Sequence, residues 1–182
     1  MSWYIVRLAR RDDFDDIVEI EKDCILPGEA ATKEQFEERY LKFQKHFYII
    51  EYAGMVVGFV NGMVTDSEIV KDEMYKDAGL HNEAGAYQTI FGLSIRKNYR
   101  GKGYARAIMD RFSEVAKKEG RKGIIVCCKE EMIPFFEKLG FELKGESESD
   151  LCGLKWYNMC KEIKQKSKHV YTSKIHTEDN RV

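Results

Sequence analysis

Apolar and polar positions along the 182-residue chain change period several times, and each change marks an element. Tyr4 to Leu8 alternates as a first strand. Phe14, Ile17, Val18 and Cys24 then repeat at helical spacing behind Asp12 or Asp13 as a cap. After Pro27-Gly28, the run Thr32-Lys-Glu-Gln35 is a capping-box pattern opening a second helix, with Phe36, Tyr40 and Phe43 on one face. Phe47–Tyr52 and Met55–Val64 flank Ala53-Gly54 as a hairpin. Residues 66–85 are polar and acidic, a long loop around a short helix carrying Ile69, Met74 and Tyr75. Tyr87–Ile95 predicts a central strand, Ala105–Glu119 a helix ended by Gly120, and Gly123–Cys128 a buried strand. Ile133–Leu139 is helical and stopped by Gly140, and Glu142–Glu148 with Leu154–Lys161 closes the pattern as antiparallel strands.

The order β-α-α-β-β-β-α-β-α-β-β predicts one mixed α/β (α+β) domain over residues 1–161, with helices on both faces of the sheet, followed by a polar extension over 162–182. Composition adds little to this picture but excludes much. Thirty basic and 31 acidic residues nearly cancel, so there is no global field for nucleic acid. No apolar run approaches the roughly 18 residues of a membrane span, and Met1–Arg7 lacks a signal-peptide core. Five cysteines without zinc-type pairing suit a reducing compartment. A cytoplasmic protein is expected, monomer or homodimer, with no nucleic-acid or membrane partner and no metal.

The most informative stretch joins the central strand to the longest helix: Arg100-Gly101-Lys102-Gly103-Tyr104-Ala105, preceded by Arg96 and Lys97. A helix start leaves its first N–H groups unpaired and carries about half a positive charge. Glycines let an anion come close to that backbone, and Arg100 and Lys102 add charge. A diphosphate suits such a turn. It is neither a P-loop, which needs Gly-Lys-Ser/Thr, nor GxGxxG, because Arg106 stands where the third glycine would be.

These residues resemble the Gln/Arg-x-x-Gly-x-Gly/Ala motif of the GNAT N-acetyltransferases, and Pro134-Phe-Phe-Glu-Lys-Leu-Gly-Phe141 resembles a late signature of the same family. The likeness spans about residues 4–161. It implies a mostly antiparallel seven-stranded sheet with about four helices, splayed between its fourth and fifth strands. It also implies acetyl-CoA as co-substrate and acetyl transfer to an amine. Pro27-Gly-Glu-Ala-Ala-Thr32, Cys128–Phe136 and Trp156-Tyr-Asn-Met159 are similar to segments of the arylalkylamine N-acetyltransferase branch. The implied donor site is the backbone of Leu93, Ser94 and Ile95 for the pantetheine arm, with Arg100, Gly101, Lys102, Gly103, Tyr104 and Ala105 for the pyrophosphate.

Acetyl transfer needs a held donor, a deprotonated amine, a polarised carbonyl and a leaving thiolate. The Leu93 N–H is the candidate to polarise the acetyl oxygen. The histidines that relay a proton in vertebrate relatives fall on Thr89 and Phe91, so that relay is absent. Glu29 matches the glutamate assigned as base in insect relatives, with Glu83 and Glu130 as further options. The family's tyrosine acid falls on Phe136; Tyr157 or Tyr99 are alternatives, and Cys128 reads as packing. The acidic residues of 66–83 suggest a rim that draws in a small cationic amine. Alternatives are a peptide or protein N-acetyltransferase, or an acetyl-CoA-binding module with weakened catalysis.

Overall fold

The computed structural model describes residues 3–164. Elements follow the chain as β1 (Tyr4–Leu8), α1 (Phe14–Cys24), α2 (Lys33–Phe43), β2 (Phe47–Tyr52), β3 (Met55–Asn61), β4 (Val64–Thr65) and α3 (Asp72–Lys76). After these come β5 (Tyr87–Ile90), β6 (Gly92–Ile95), α4 (Tyr104–Lys118), β7 (Gly123–Cys128), α5 (Ile133–Lys138), β8 (Glu142–Glu146) and β9 (Tyr157–Glu162). This is the expected order, with two strands each broken in two. Of the extension expected from 162 onward, Glu162 still belongs to β9 and Ile163 donates to the Lys122 carbonyl at 2.9 Å. Residues 165–182 lie outside those described.

Local chemistry explains most boundaries. At the start of α2 both halves of the capping box form: Thr32 Oγ1 accepts from Gln35 N–H and Gln35 Oε1 from Thr32 N–H, at 3.3 and 2.9 Å. Asp13 opens α1 differently from the expected cap. Its carboxylate accepts from the Arg10 N–H at 2.7 Å and receives the Arg7 guanidinium in a fork, at 2.7 and 2.8 Å.

The strands form two hydrogen-bonded groups, β1-β2-β3-β6 and β4-β5-β7-β9-β8. They meet in the central strand, whose first half, β5, belongs to one group and whose second half, β6, to the other. Thr65 faces Tyr87 and Val64 faces Gln88, whereas Asn61 faces Gly92, so the central strand carries one extra residue at Phe91–Gly92. That is a β-bulge, and it turns the strand. Opposite it, Gly62 is obligatory, because a Cβ there would lie 1.9 Å from the Thr89 carbonyl oxygen.

Beyond the bulge the sheet opens. β5 pairs in parallel with β7 from Tyr87↔Gly123 to Ile90↔Val126, and the pairing stops there. Cys127 and Cys128 keep their β9 partners but have none on the β5 side, while β6 pairs only with β3. The result is the expected V-shaped gap between β6 and β7. One core, with Ile108, Met109 and Phe112 of α4, fills one side of the sheet; a second packs α1 and α2 on β2 and β3; a third lies under α3.

Candidate active site at the gap

The β6 edge is the first wall. The Arg96 N–H donates to the Val57 carbonyl, and alternation along an antiparallel ladder gives Ser94 and Gly92 the same inward bonding. Leu93 and Ile95 therefore turn their backbone groups to the gap. Leu93 is half-buried there with its N–H aimed outward. The Ile95 carbonyl is already taken, by Arg100 Nε at 3.0 Å and the Cys24 thiol at 3.4 Å, so its open contribution is the N–H. Ser94 points away, buried against α1, with its hydroxyl on the Glu21 carboxylate.

Past the C-terminal end of β6 the chain makes the Arg100–Ala105 turn. Gly101 and Gly103 have φ of +73° and +86°, a region costly to any residue with a Cβ, and a Cβ at either would point into open space. Gly103 is the N-cap of α4, and no side chain caps that helix start. The first N–H groups of α4, from Tyr104 and Ala105 onward, thus face outward as a preformed anion cradle. Lys102 stands beside it, its Nζ 5.1 Å above the Tyr99 ring. Tyr104 is buried against Tyr4, Tyr52 and Tyr99 and anchors the turn. Arg96 belongs to the scaffold: it pairs with Asp16 at 2.7 Å and Glu19 at 2.8 Å and ties α1 to the sheet.

The other mouth of the gap is built from side chains. Glu29, in the loop between α1 and α2, forms an ion pair with Lys129, just past β7, at 2.8 Å. Both are largely covered, with 12% and 20% of their side chains exposed, and Lys129 Nζ lies 5.6 Å over Trp156. Phe91, Tyr75 and Trp156, all half-buried, pave the same side against Cys127. Arg39 and Glu21 lie behind them. The Arg39 guanidinium sits 5.1 Å over the Phe91 ring and donates to the Tyr75 carbonyl at 3.2 Å. Glu21 accepts from the Ala31 N–H at 3.2 Å, which holds the Glu29 loop, and burial pushes its carboxyl above the ordinary range.

Several candidates fall elsewhere. Thr89 is buried and donates to the Met63 carbonyl. Phe136 is buried between Phe135 and Phe141. Burial pushes the Cys128 thiol up to about 12, so it stays protonated beside Met159, as a packing residue should. Tyr99 belongs to the cluster at the cofactor end. Glu83 is occupied by His46 at 3.1 Å, His81 at 3.2 Å and Arg121 at 3.2 Å.

His46, His81 and Glu83 also form, among the described residues, one set with metal-like spacing, their ligand atoms within 4.8 Å of one another. The His81 Nδ1 accepts from the Val64 N–H at 3.1 Å, so the neutral ring keeps its proton on Nε2, facing Glu83. A metal on that nitrogen would have to displace the proton or break the Val64 bond. The acids of the 66–83 loop are mostly in use: Asp66 holds Asn82 and Ala86, Asp77 caps Gly79, and Glu68 accepts from Tyr87.

A split sheet with a bulged central strand, an uncapped glycine turn at the α4 start and an open β6 edge together have the architecture of an acyltransferase fold. The acetyltransferase (GNAT) family model matches residues 14–141, and the chain belongs to that family. It is an acyltransferase, and at family level its activity is acetyl-CoA-dependent N-acetylation. A probable N-acetyltransferase family 8 member 5 of Mus musculus is 26% identical over 84% of this chain, which spans 59% of that relative. Glucosamine 6-phosphate N-acetyltransferase 1 of Dictyostelium discoideum is 27% identical, covering 73% of this chain and 83% of its own. Among solved structures, the GphF GNAT-like decarboxylase in complex with isobutyryl-CoA superposes with a TM-score of 0.77 at 15% identity, over 88% of this chain and all of that one. None of the described helices is long and apolar enough to cross a membrane.

Missed from sequence were Lys129 and Arg39, whose partners Glu29 and Tyr75 lie 100 and 36 positions away along the chain.

Proposed function

We propose that this chain transfers acetyl from acetyl-CoA directly to a small primary amine, cationic at neutral pH, in a ternary complex, with Glu29 as base. The observation that carries this reading is the Glu29–Lys129 pair at the acceptor mouth of the gap. It joins the loop before α2 to the segment after β7, and Cys152 reaches the Gly28 carbonyl nearby, at 3.9 Å. That cover favours a closed cup for a small molecule over an open peptide groove. The segments similar to the arylalkylamine branch support a place in that branch, and five free cysteines suit a cytoplasmic enzyme.

In this reading the pyrophosphate rests on the N–H groups of Gly101, Gly103, Tyr104 and Ala105, with Lys102 and Arg100 beside it. The pantetheine arm lies along Leu93, Ser94 and Ile95 as an added strand. An incoming ammonium replaces Lys129 at Glu29 and gives up a proton to its carboxylate. The freed lone pair attacks the thioester carbon, and the carbonyl electrons move to the oxygen facing the Leu93 N–H. Collapse forms the amide and breaks the C–S bond, the electron pair leaving on sulfur. The second nitrogen proton balances that charge, through solvent or directly. Coenzyme A thiolate is a tolerable leaving group, because a thiol ordinarily titrates near about 8.5.

The test is a panel of primary amines (2-phenylethylamine, putrescine, glucosamine, glycine and a lysine-containing peptide) with acetyl-CoA, read by free-thiol release. Turnover with a small amine and none with the peptide is expected. Peptide turnover alone would move the assignment to protein acetylation, and acetyl-CoA binding without any turnover would leave a binding module.

A further inference from the structure

The last turn of α1 touches both sides of the proposed reaction. Glu21 accepts from the Ala31 N–H at 3.2 Å, two residues beyond Glu29. Cys24, three residues further along α1, donates to the Ile95 carbonyl at 3.4 Å and receives Arg100 Nη2 at 3.1 Å. Arg96, just past β6, fastens the same helix through Asp16 and Glu19. One helix thus carries bonds to the donor strand and to the loop that holds the base. Inside that loop, the Glu29 and Ala30 N–H groups donate to the Leu26 carbonyl, at 3.0 and 3.3 Å. Those bonds shape the loop without setting its place against β6. Lys129 holds the Glu29 side chain from outside, but in the scheme above the ammonium replaces it, so that hold is gone when the proton moves. The Cys152 thiol reaches Gly28 only at 3.9 Å. What remains is the Glu21 bond. Glu21 is 6% exposed and has no ion-pair partner among the described residues. A buried carboxyl without a counter-ion is costly to keep, and the Ala31 N–H is the group that this one is placed to hold.

We propose that Glu21 is a positioning residue that sets Glu29 at working distance from the acetyl group on β6. This rests on the acetyl-transfer reading with Glu29 as base. In that reading the Leu93 N–H fixes where the carbonyl oxygen sits, and with it the carbon under attack. The base must stand beyond the amine from that carbon, and it belongs to a separate loop. A brace from α1, itself bonded to Ile95, sets one against the other. Glu21 acts here only by accepting a hydrogen bond, so the reach of its oxygen matters and its charge does not. Moving Glu29 by about 1 Å leaves the binding of acetyl-CoA intact but misaligns the proton transfer, an error that can cost about 100-fold in rate.

Two substitutions separate reach from charge. Glu21→Gln keeps an oxygen at the same distance and removes the acid. Glu21→Asp keeps the acid and draws it back by one methylene. With acetyl-CoA and the amine of the panel that is turned over fastest, Glu21→Gln should keep kcat within about threefold of wild type, and Glu21→Asp should lose about 10- to 100-fold at neutral pH. The acetyl-CoA dissociation constant should stay within about twofold in both. The Glu21→Asp loss in kcat/KM should shrink as pH rises toward the amine's own titration, about 10 for an alkylamine, because a free amine needs no base. A loss of the same size at every pH would mean a purely structural role and overturn the proposal. So would wild-type activity in Glu21→Asp, or a Glu21→Gln loss as large as that of Glu21→Asp. Should Glu21→Asp fail to fold, Glu21→Gln still decides, since the proposal requires it to keep both its activity and the wild-type pH profile. If Glu29→Gln keeps wild-type kcat, the base assignment fails first and Glu21 with it, whereas a failure at Glu21 beside an impaired Glu29→Gln leaves the base in place.

Discussion

At the α4 end of the gap the groups that face a ligand are backbone: the outward edge of Leu93 and Ile95, and N–H groups displayed by Gly101 and Gly103 in a turn with no side chain over it. At the acceptor end they are side chains, drawn from the α1–α2 loop, α3, the bulge and the segment after β7, and their charges are paired before any substrate arrives. A backbone site depends on conformation and hardly on side-chain identity, so it tolerates drift around it and binds one chemical group. A side-chain site changes with every substitution, and pre-paired charges make an entering substrate compete for its partner. On the proposed reading, the donor end holds the chemistry common to acetyl-CoA users, and the acceptor end holds what selects the amine.

The sharpest way to separate the two ends is Glu29→Gln. It should lower kcat about 100- to 1000-fold while leaving acetyl-CoA affinity unchanged, measured by steady-state kinetics beside a binding titration. A comparable loss of acetyl-CoA affinity would mean that the ends are not independent.

A smaller effect concerns the staple that fixes the acceptor loop. Burial lowers the His81 pKa, with the Glu83 contact opposing it. Glu83 is held below the usual carboxylate range by His46 and His81, against a burial cost that alone would raise it. For a histidine depressed in the folded state, the unfolded chain binds the extra proton. That stability is complete above about 6.5 and is lost as pH falls toward the folded value. The depressed glutamate adds a loss of the same sign, beginning lower, as pH falls below its ordinary value. The melting temperature should drop by a few degrees between about pH 7 and pH 5. His81→Gln should flatten the upper part of that slope, and an equal slope in the variant would remove His81 from the account.

The smallest effect is electrostatic steering. With Asp66, Glu68, Asp77 and Glu83 occupied inside the loop, Asp72 and Glu73 are left to act at a distance. For an amine of rising positive charge, kcat/KM should change only about twofold between low and physiological salt. A tenfold salt dependence would restore the acidic rim as a steering field.

Much of this molecule was legible from residue order. The capping box at Thr32, the hairpin at Ala53-Gly54, the buried run Gly123–Cys128 and the glycine turn before α4 are local patterns, and local patterns report local conformation. The bulge was not legible, because Tyr87–Ile95 reads as one uninterrupted strand and its extra residue exists only relative to Asn61 and Thr65 on the neighbour. Arg96, which looks in sequence like one more cation for the diphosphate, is spent on Asp16 and Glu19, 80 and 77 positions away. Glu29 was reached by resemblance, but Lys129 lies 100 positions later and no periodicity connects them. Tyr75 read only as part of a short loop helix, and its contact with Phe91 appears only when α3 folds onto the bulge.

The donor end carries the central claim, and acetyl-CoA binding to Gly103→Asp beside Gly103→Ala tests it most directly. Both variants place a Cβ at φ +86°, so each should lose about 1 kcal/mol of apo stability. Only the aspartate puts a negative charge where the diphosphate rests. Acetyl-CoA at about 100 times its dissociation constant should stabilise wild type by about 2.7 kcal/mol. The account predicts that most of this stabilisation survives in Gly103→Ala and vanishes in Gly103→Asp. An equal stabilisation in both variants would contradict it, since the diphosphate would then have to bind somewhere other than the start of α4.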